Sequence, residues 1–164
     1  MKVDYLFSKN NKIGSKLISW ASSFEQLDMG LLPSHVAVLL NDTWVVESTF
    51  TSGVRVVPYD KWLDINEELY KVPCSTTDRS STQILKTATE IWSKSYDWAG
   101  IAYFAVCFVN LIAFKKPLPA ENKWENKNRY FCTEYVERLT KMDLRMHTPA
   151  KTYLKVSGKL GDLQ

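Results

Sequence analysis

Hydrophobic and polar positions change their period along the chain, and the changes mark its elements. VDYLF (3–7) is a short apolar run with strand character. After Asn10, a residue suited to cap a helix, Ile13, Leu17, Trp20, Ala21 and Phe24 recur at the spacing of one helical face. Gly30 and Pro33 end the connection that follows. SHVAVLL and TWVVEST are β-rich runs around the turn signal Asn41-Asp42, GVRVV (53–57) is a third run closed by Pro58, and ELYKV (68–72) is a further strand candidate. Runs joined by such short turns predict an antiparallel sheet built from sequence neighbours.

The second half reads as helical. Ser80 and Gln83 have capping-box spacing ahead of Ile84, Leu85, Ala88, Ile91 and Trp92. Residues 98–114 are apolar nearly all round, 115–129 are polar with two prolines and read as a surface loop, and a short helix is predicted to start at Cys132. Thr148-Pro149 has the N-cap and N1 preferences of a last helix. No repeat or linker divides the 164 residues, so residues 1–164 are expected to form one domain of α+β class.

Composition narrows the field of functions. The 45% hydrophobic content is that of a globular chain. A net charge of +3, from 21 basic and 18 acidic residues with no basic run, argues against nucleic acid as a partner. The three cysteines have neither CxxC nor Cys/His zinc spacing, so no disulfide framework is expected and a reducing compartment fits best. The first ten residues include Asp4 and no long apolar stretch, unlike a signal peptide, and an intracellular, cytoplasmic protein is expected.

Candidate chemistry centres on Cys132, His35 and Glu47. A thiol attacks carbonyl carbon as thiolate, which the positive end of a helix or a neighbouring imidazole favours. Cys132 stands where a helix begins, and its backbone N–H would be among the unpaired donors available to an oxyanion. Of the two histidines, His147 lies beside a helix start and reads as a surface or capping residue, whereas His35 begins a strand. Glu47 is an acid inside an otherwise apolar strand, and it lies as far from Asn41 as His35 does. An odd-length turn centred on Asn41 would put the two opposite one another on one face, where Glu47 would orient the imidazole; a two-residue turn would put Glu47 on the other face. Cys74 and Cys107 read as structural. A lone cysteine is more often a small buried hydrophobe, and composition and spacing alone leave the trio suggestive.

Four stretches in order, VDYLFSKNNKIGSKLISWAS, SHVAVLL, VVESTFTSGVRVVPYDKWL and YFCTEYV, with TPAKTYL behind them, carry a resemblance. The chain resembles the circularly permuted, NlpC-like branch of the papain-like cysteine hydrolases, which includes YiiX-type bacterial proteins, relatives of lecithin:retinol acyltransferase and a small poxvirus protein. Ala37, Val3 and Thr133 depart from the Gly, Gly and Ser usual there. The resemblance implies an antiparallel sheet with the Cys helix packed on the His strands, which precede it. It implies Cys132 as nucleophile, His35 as base and Glu47 as orienter. It also implies a hydrolase or acyltransferase that cleaves an amide or ester of a small molecule, lipid or peptide through a thioester, with no cofactor. The competing expectation is an inactive lipid- or protein-binding module on the same fold.

Residues 98–114 approach the lower limit of a membrane span, about 17 residues. Gly100 and Asn110 interrupt the stretch, and the nucleophile lies shortly downstream. The expectation is a helix packed mainly inside, with one apolar edge near the active-site mouth open to peripheral membrane contact.

Overall fold

The computed structural model describes residues 2–159 other than 24, 26, 28, 75–79, 117, 118, 120–122, 125–127 and 145, and only the backbone of Ile13, Ala21 and Ser81. The class is α+β. Strands β1 (Val3–Lys9), β2 (His35–Leu40), β3 (Trp44–Thr49), β4 (Gly53–Pro58) and β5 (Glu67–Pro73) form one antiparallel sheet in the order β4-β3-β2-β1-β5. Helices α1 (Ile13–Ser23) and α2 (Tyr59–Leu63) fall among the strands. Helices α3 (Ser81–Glu90), α4 (Trp98–Phe114), α5 (Cys132–Thr140) and α6 (Pro149–Val156) follow them.

The expected pairing of sequence neighbours holds for β2, β3 and β4. It fails for β5, which crosses the sheet to pair with β1 instead of extending the edge beyond β4. The crossing makes β1 an interior strand, as β2 already is between β1 and β3. Their nearly continuous apolar runs suit that position, because both faces of the sheet are covered there. On one face Tyr5, Phe7, Val36, Val38 and Val46 pack with Tyr135, Val136 and Leu139 of α5. On the other, Leu6, Ala37, Leu39 and Val45 pack around Trp62 of α2. Each aliphatic side chain buried in these layers stabilises the fold by about 1.5–3 kcal/mol. Helix α6 joins the first layer through Tyr153, whose ring meets Phe7 edge-on at 5.4 Å and stacks on Tyr70 at 4.1 Å.

Most of the predicted helix starts are found. Ser80 and Gln83 exchange the two hydrogen bonds of a capping box, and the Thr148 hydroxyl accepts from the Lys151 N–H at 3.1 Å ahead of Pro149. Asn10 Oδ1 accepts from the Lys12 N–H at 3.1 Å, capping the turn before α1 instead of the helix itself. The face read for α1 is not a buried one, since Leu17 and Trp20 are more than half exposed; Phe24 lies outside the described residues, as do parts of the 115–129 loop.

The expectation for residues 98–114 needs correction. The helix is there, but only Gly100, Cys107 and Phe108 are buried, and most of its outward side is open. It lies on the core by one side through Phe108 and Phe104, whose ring also approaches Phe131 edge-on. No helix among the described residues is long and apolar enough to cross a membrane.

One turn ties the sheet to the segment ahead of α4. Gly53 opens β4 with φ +62°, next to a backbone clamp in which Val54 N–H donates to Lys94 O at 2.8 Å and Ser93 N–H donates to Val54 O at 3.1 Å. A Cβ at position 53 would strike the Lys94 carbonyl oxygen. Gly53→Ala should therefore lower the urea unfolding free energy by about 2 kcal/mol or more, through clash and left-handed strain together. A variant as stable as wild type would show that the clamp yields without cost.

Candidate active site

Helix α5 begins at Cys132 after Phe131, whose N–H donates to Glu134 Oε2 at 3.3 Å. As first residue of the helix, Cys132 has an N–H with no acceptor inside it. Its register is set by Tyr135, Val136 and Leu139, which anchor the helix on the sheet. The preceding strand-like residues are held too: Tyr130 N–H donates to Ser95 O at 3.1 Å, and the Ser48 hydroxyl donates to Tyr130 O at 2.5 Å.

His35 is the first residue of β2 and pairs with Ser8 of β1. Glu47 lies in β3, 1% exposed. The β2–β3 loop is odd in length, but it is centred one residue later than expected. Leu40 pairs with Trp44, Leu39 with Val45 and Val38 with Val46, so the centre is Asp42, and Asn41 and Asp42 both adopt positive φ. His35 and Glu47 are consequently diagonal instead of opposite, yet they share a face. His35 Nε2 lies 2.7 Å from Glu47 Oε2.

Two further residues hold the carboxylate. Trp62 Nε1–H donates to Oε2 at 3.0 Å, and Arg55 donates through Nε at 2.9 Å and Nη2 at 2.6 Å to Oε1. Neither was expected from the sequence. Arg55 did leave a signal, as a charge inside the apolar GVRVV run at the mirror position of Glu47 in the β3–β4 hairpin, where the two are paired. Trp62 left none, because the five-residue helix that carries it is too short to show a period.

The cysteine joins this group. Cys132 and His35 line the same cleft, and the Cys132 side chain is the group besides Glu47 that favours charge on the imidazole, whose Nε2 serves Glu47. Burial opposes a charge on the imidazole, but contacts with Cys132 and Glu47 outweigh it and raise His35 to about 10. Burial would likewise push Glu47 up, yet His35 and Arg55 hold it down at about 2.

A cleft of 170 Å³ opens on the three residues. Its walls include Ile18, Phe50 and Ile65 on the apolar side and Asn10, Ser15 and Ser34 on the polar side. The Ser15 and Ser34 hydroxyls share a hydrogen bond, Ser15 Oγ accepts from Asn10 N–H at 3.0 Å, and Asn10 Nδ2 donates to Asn66 Oδ1 at 3.1 Å. Tyr96 closes the side next to Cys132, and burial followed by the nearby Cys132 raises its phenol well above the ordinary value, so it stays a hydrogen-bond donor. His147 stands apart from the cleft. It is half-buried instead of a surface residue, its Nδ1 has no hydrogen-bond partner, and burial with Lys151 and Lys155 lowers it to about 4. Cys74 is half-buried and Cys107 buried; all three thiols are free, and no cluster of three or more His, Cys, Asp or Glu among the described residues could hold a metal ion.

No protein-family model, curated protein or solved structure matches the chain.

The two histidines predict opposite arms of the stability profile. A raised imidazole stabilises fully below its ordinary 6.5 and loses that contribution as pH rises through about 10, which gives His35 an alkaline arm. A depressed Glu47 contributes above its ordinary 4.5 and loses it as pH falls through about 2, and His147 adds to that acid arm between 6.5 and about 4. Urea midpoints measured against pH should fall on both sides, and His35→Ala should flatten the alkaline one and, by removing a partner of Glu47, reduce the acid one as well. An unchanged alkaline arm in that variant would assign it to another group.

Proposed function

We propose that the chain is a cysteine-dependent hydrolase or acyltransferase of the permuted papain-like, NlpC-like type. Cys132 is its nucleophile, His35 its general base and Glu47 its positioning carboxylate. The observation that carries this reading is a single imidazole held through one nitrogen by a buried carboxylate 2.7 Å away, in the same cleft as a helix-start thiol. Supporting it is the chain order, with β2 and β3 ahead of the α5 helix that packs on them.

The chemistry follows from that arrangement. With the thiol proton already held on His35 as imidazolium, Cys132 Sγ attacks the carbonyl carbon of an amide or ester. The carbonyl π pair moves to oxygen, and the oxyanion accepts from the Cys132 N–H at the helix start. When the intermediate collapses, the C–N or C–O bond breaks, and the imidazolium proton goes to the departing amine or alcohol. Water or another nucleophile then gives a proton to His35, attacks the thioester and releases the thiolate. Throughout, Glu47 holds Nε2–H and thereby the orientation of the ring. Arg55 and Trp62 hold Glu47.

Incubation with short-chain p-nitrophenyl esters should leave an acyl group on Cys132 by mass spectrometry, and none in Cys132→Ala. His35→Ala should slow acylation by about 10²- to 10⁴-fold. Trp62→Phe keeps the ring and removes one donor to Glu47, costing about 1–2 kcal/mol of stability and shifting the pH profile more than the KM. Iodoacetamide alkylation of Cys132 with the same pH dependence in wild type and His35→Ala would sink the enzyme reading.

A further inference from the structure

Helix α4 is apolar on two sides. No charged residue occurs between Asp97 and Lys115, and the inward side packs through Phe108 and Cys107. On the outward side Trp98, Ala102, Val106, Val109, Ile112 and Ala113 are exposed at i, i+4, i+8, i+11, i+14 and i+15, one helical face about 22 Å long. A helix facing water carries polar residues there, and a continuous apolar strip of this length marks a surface with a partner.

The two ends of the strip identify the partner. At one end Phe114 is 67% exposed, Lys116 Nζ lies 6.0 Å over its ring, and Lys115 is adjacent. An exposed aromatic with two lysines at the edge of an apolar strip suits acyl chains beneath anionic headgroups. At the other end the Trp98 ring meets Phe50 at 3.8 Å, and Phe50 forms part of the cleft wall. Indole and phenyl rings at that edge suit the boundary between headgroup and hydrocarbon. The helix is too short to cross a bilayer, and its exposed strip is shaped to lie along one.

We propose that the outward face of α4 docks on a lipid bilayer carrying anionic headgroups, in the plane of the interface, with the Trp98–Phe50 end setting the mouth of the Cys132 cleft toward the lipid. The docking stands on α4 alone and does not require Cys132 to be a nucleophile.

Flotation of the full chain tests it, with vesicles of phosphatidylcholine containing phosphatidylglycerol and with phosphatidylcholine alone. The chain should float with the mixed vesicles. Val109→Glu with Ile112→Glu should reduce the bound fraction more than about tenfold, because two aliphatic side chains would no longer enter the lipid. Both positions are exposed, and unchanged circular dichroism would show that the double variant folds. Lys115→Gln with Lys116→Gln, or added salt, should weaken binding to the mixed vesicles and leave phosphatidylcholine alone unaffected. Failure to float on either vesicle, or equal flotation of the glutamate variant, would overturn the inference. So would a concentration-dependent dimer that the same variant abolishes without any vesicle binding, which would make the face a contact between two copies.

Discussion

Glu47 is a carboxylate with almost no access to water, and four N–H groups converge on it from a strand, a hairpin partner and a helix. An ion in that position without partners would cost several kcal/mol, so the neighbouring elements must be in place for it to remain charged. β4 has to pair with β3 in the register that sets Arg55 opposite Glu47. α2 has to turn after Pro58 so that Trp62 lies under the sheet with its indole N–H toward the carboxylate. The apolar cluster around Trp62 makes that turn favourable, and the carboxylate fixes its angle. Packing and polar satisfaction agree at this point, as they must where a buried charge is tolerated.

Division of labour between the two oxygens matters for the imidazole. Arg55 takes Oε1 with two N–H groups, which pins the plane of the carboxylate. Oε2 is then presented to His35 and Trp62 together. The Arg55 charge offsets part of that of Glu47, and the carboxylate still favours the protonated imidazole through its hydrogen bond and its charge. Holding Nε2–H in this way fixes which nitrogen keeps its proton whenever the ring is neutral.

Much of this could be read from local pattern. β1, the β2–β3 hairpin, the capped starts of α3 and α6 and the start of α5 at Cys132 follow from period and cap chemistry. The shared face of His35 and Glu47 required only that the loop be odd. Its centre was misplaced by one residue because Asn and Asp both tolerate positive φ, so the dipeptide marks a turn without marking its middle. The crossing of β5 was illegible for a different reason. Which edge a strand joins is decided by the layers it covers, a long-range outcome that its own residues do not encode. The open face of α4 was misread because an apolar helix looks the same in sequence whether its second side meets protein, lipid or water.

One feature of the sheet lets these parts work as a unit. His35 and Glu47 belong to the face that packs on Trp62, whereas Cys132 belongs to the helix layer on the opposite face. Two groups on opposite faces of a continuous sheet are kept apart by the strands between them. Here the β2–β3 ladder ends at Val38↔Val46, while β2 remains paired with β1 as far as His35 and β3 with β4 as far as Thr49. Beyond that pair the two strands follow different partners. The cleft is lined by residues of both faces, Glu47 and Ser48 in succession along β3, with His35 and Cys132 beside them. His35 and Cys132 come into one cleft at this interruption, which the full ladder would have closed between them. A residue at the start of a strand, where pairing to one neighbour has ended and pairing to the other persists, is both anchored and free to serve two layers. His35 occupies that position, paired with Ser8 of β1 and beyond the last pair with β3.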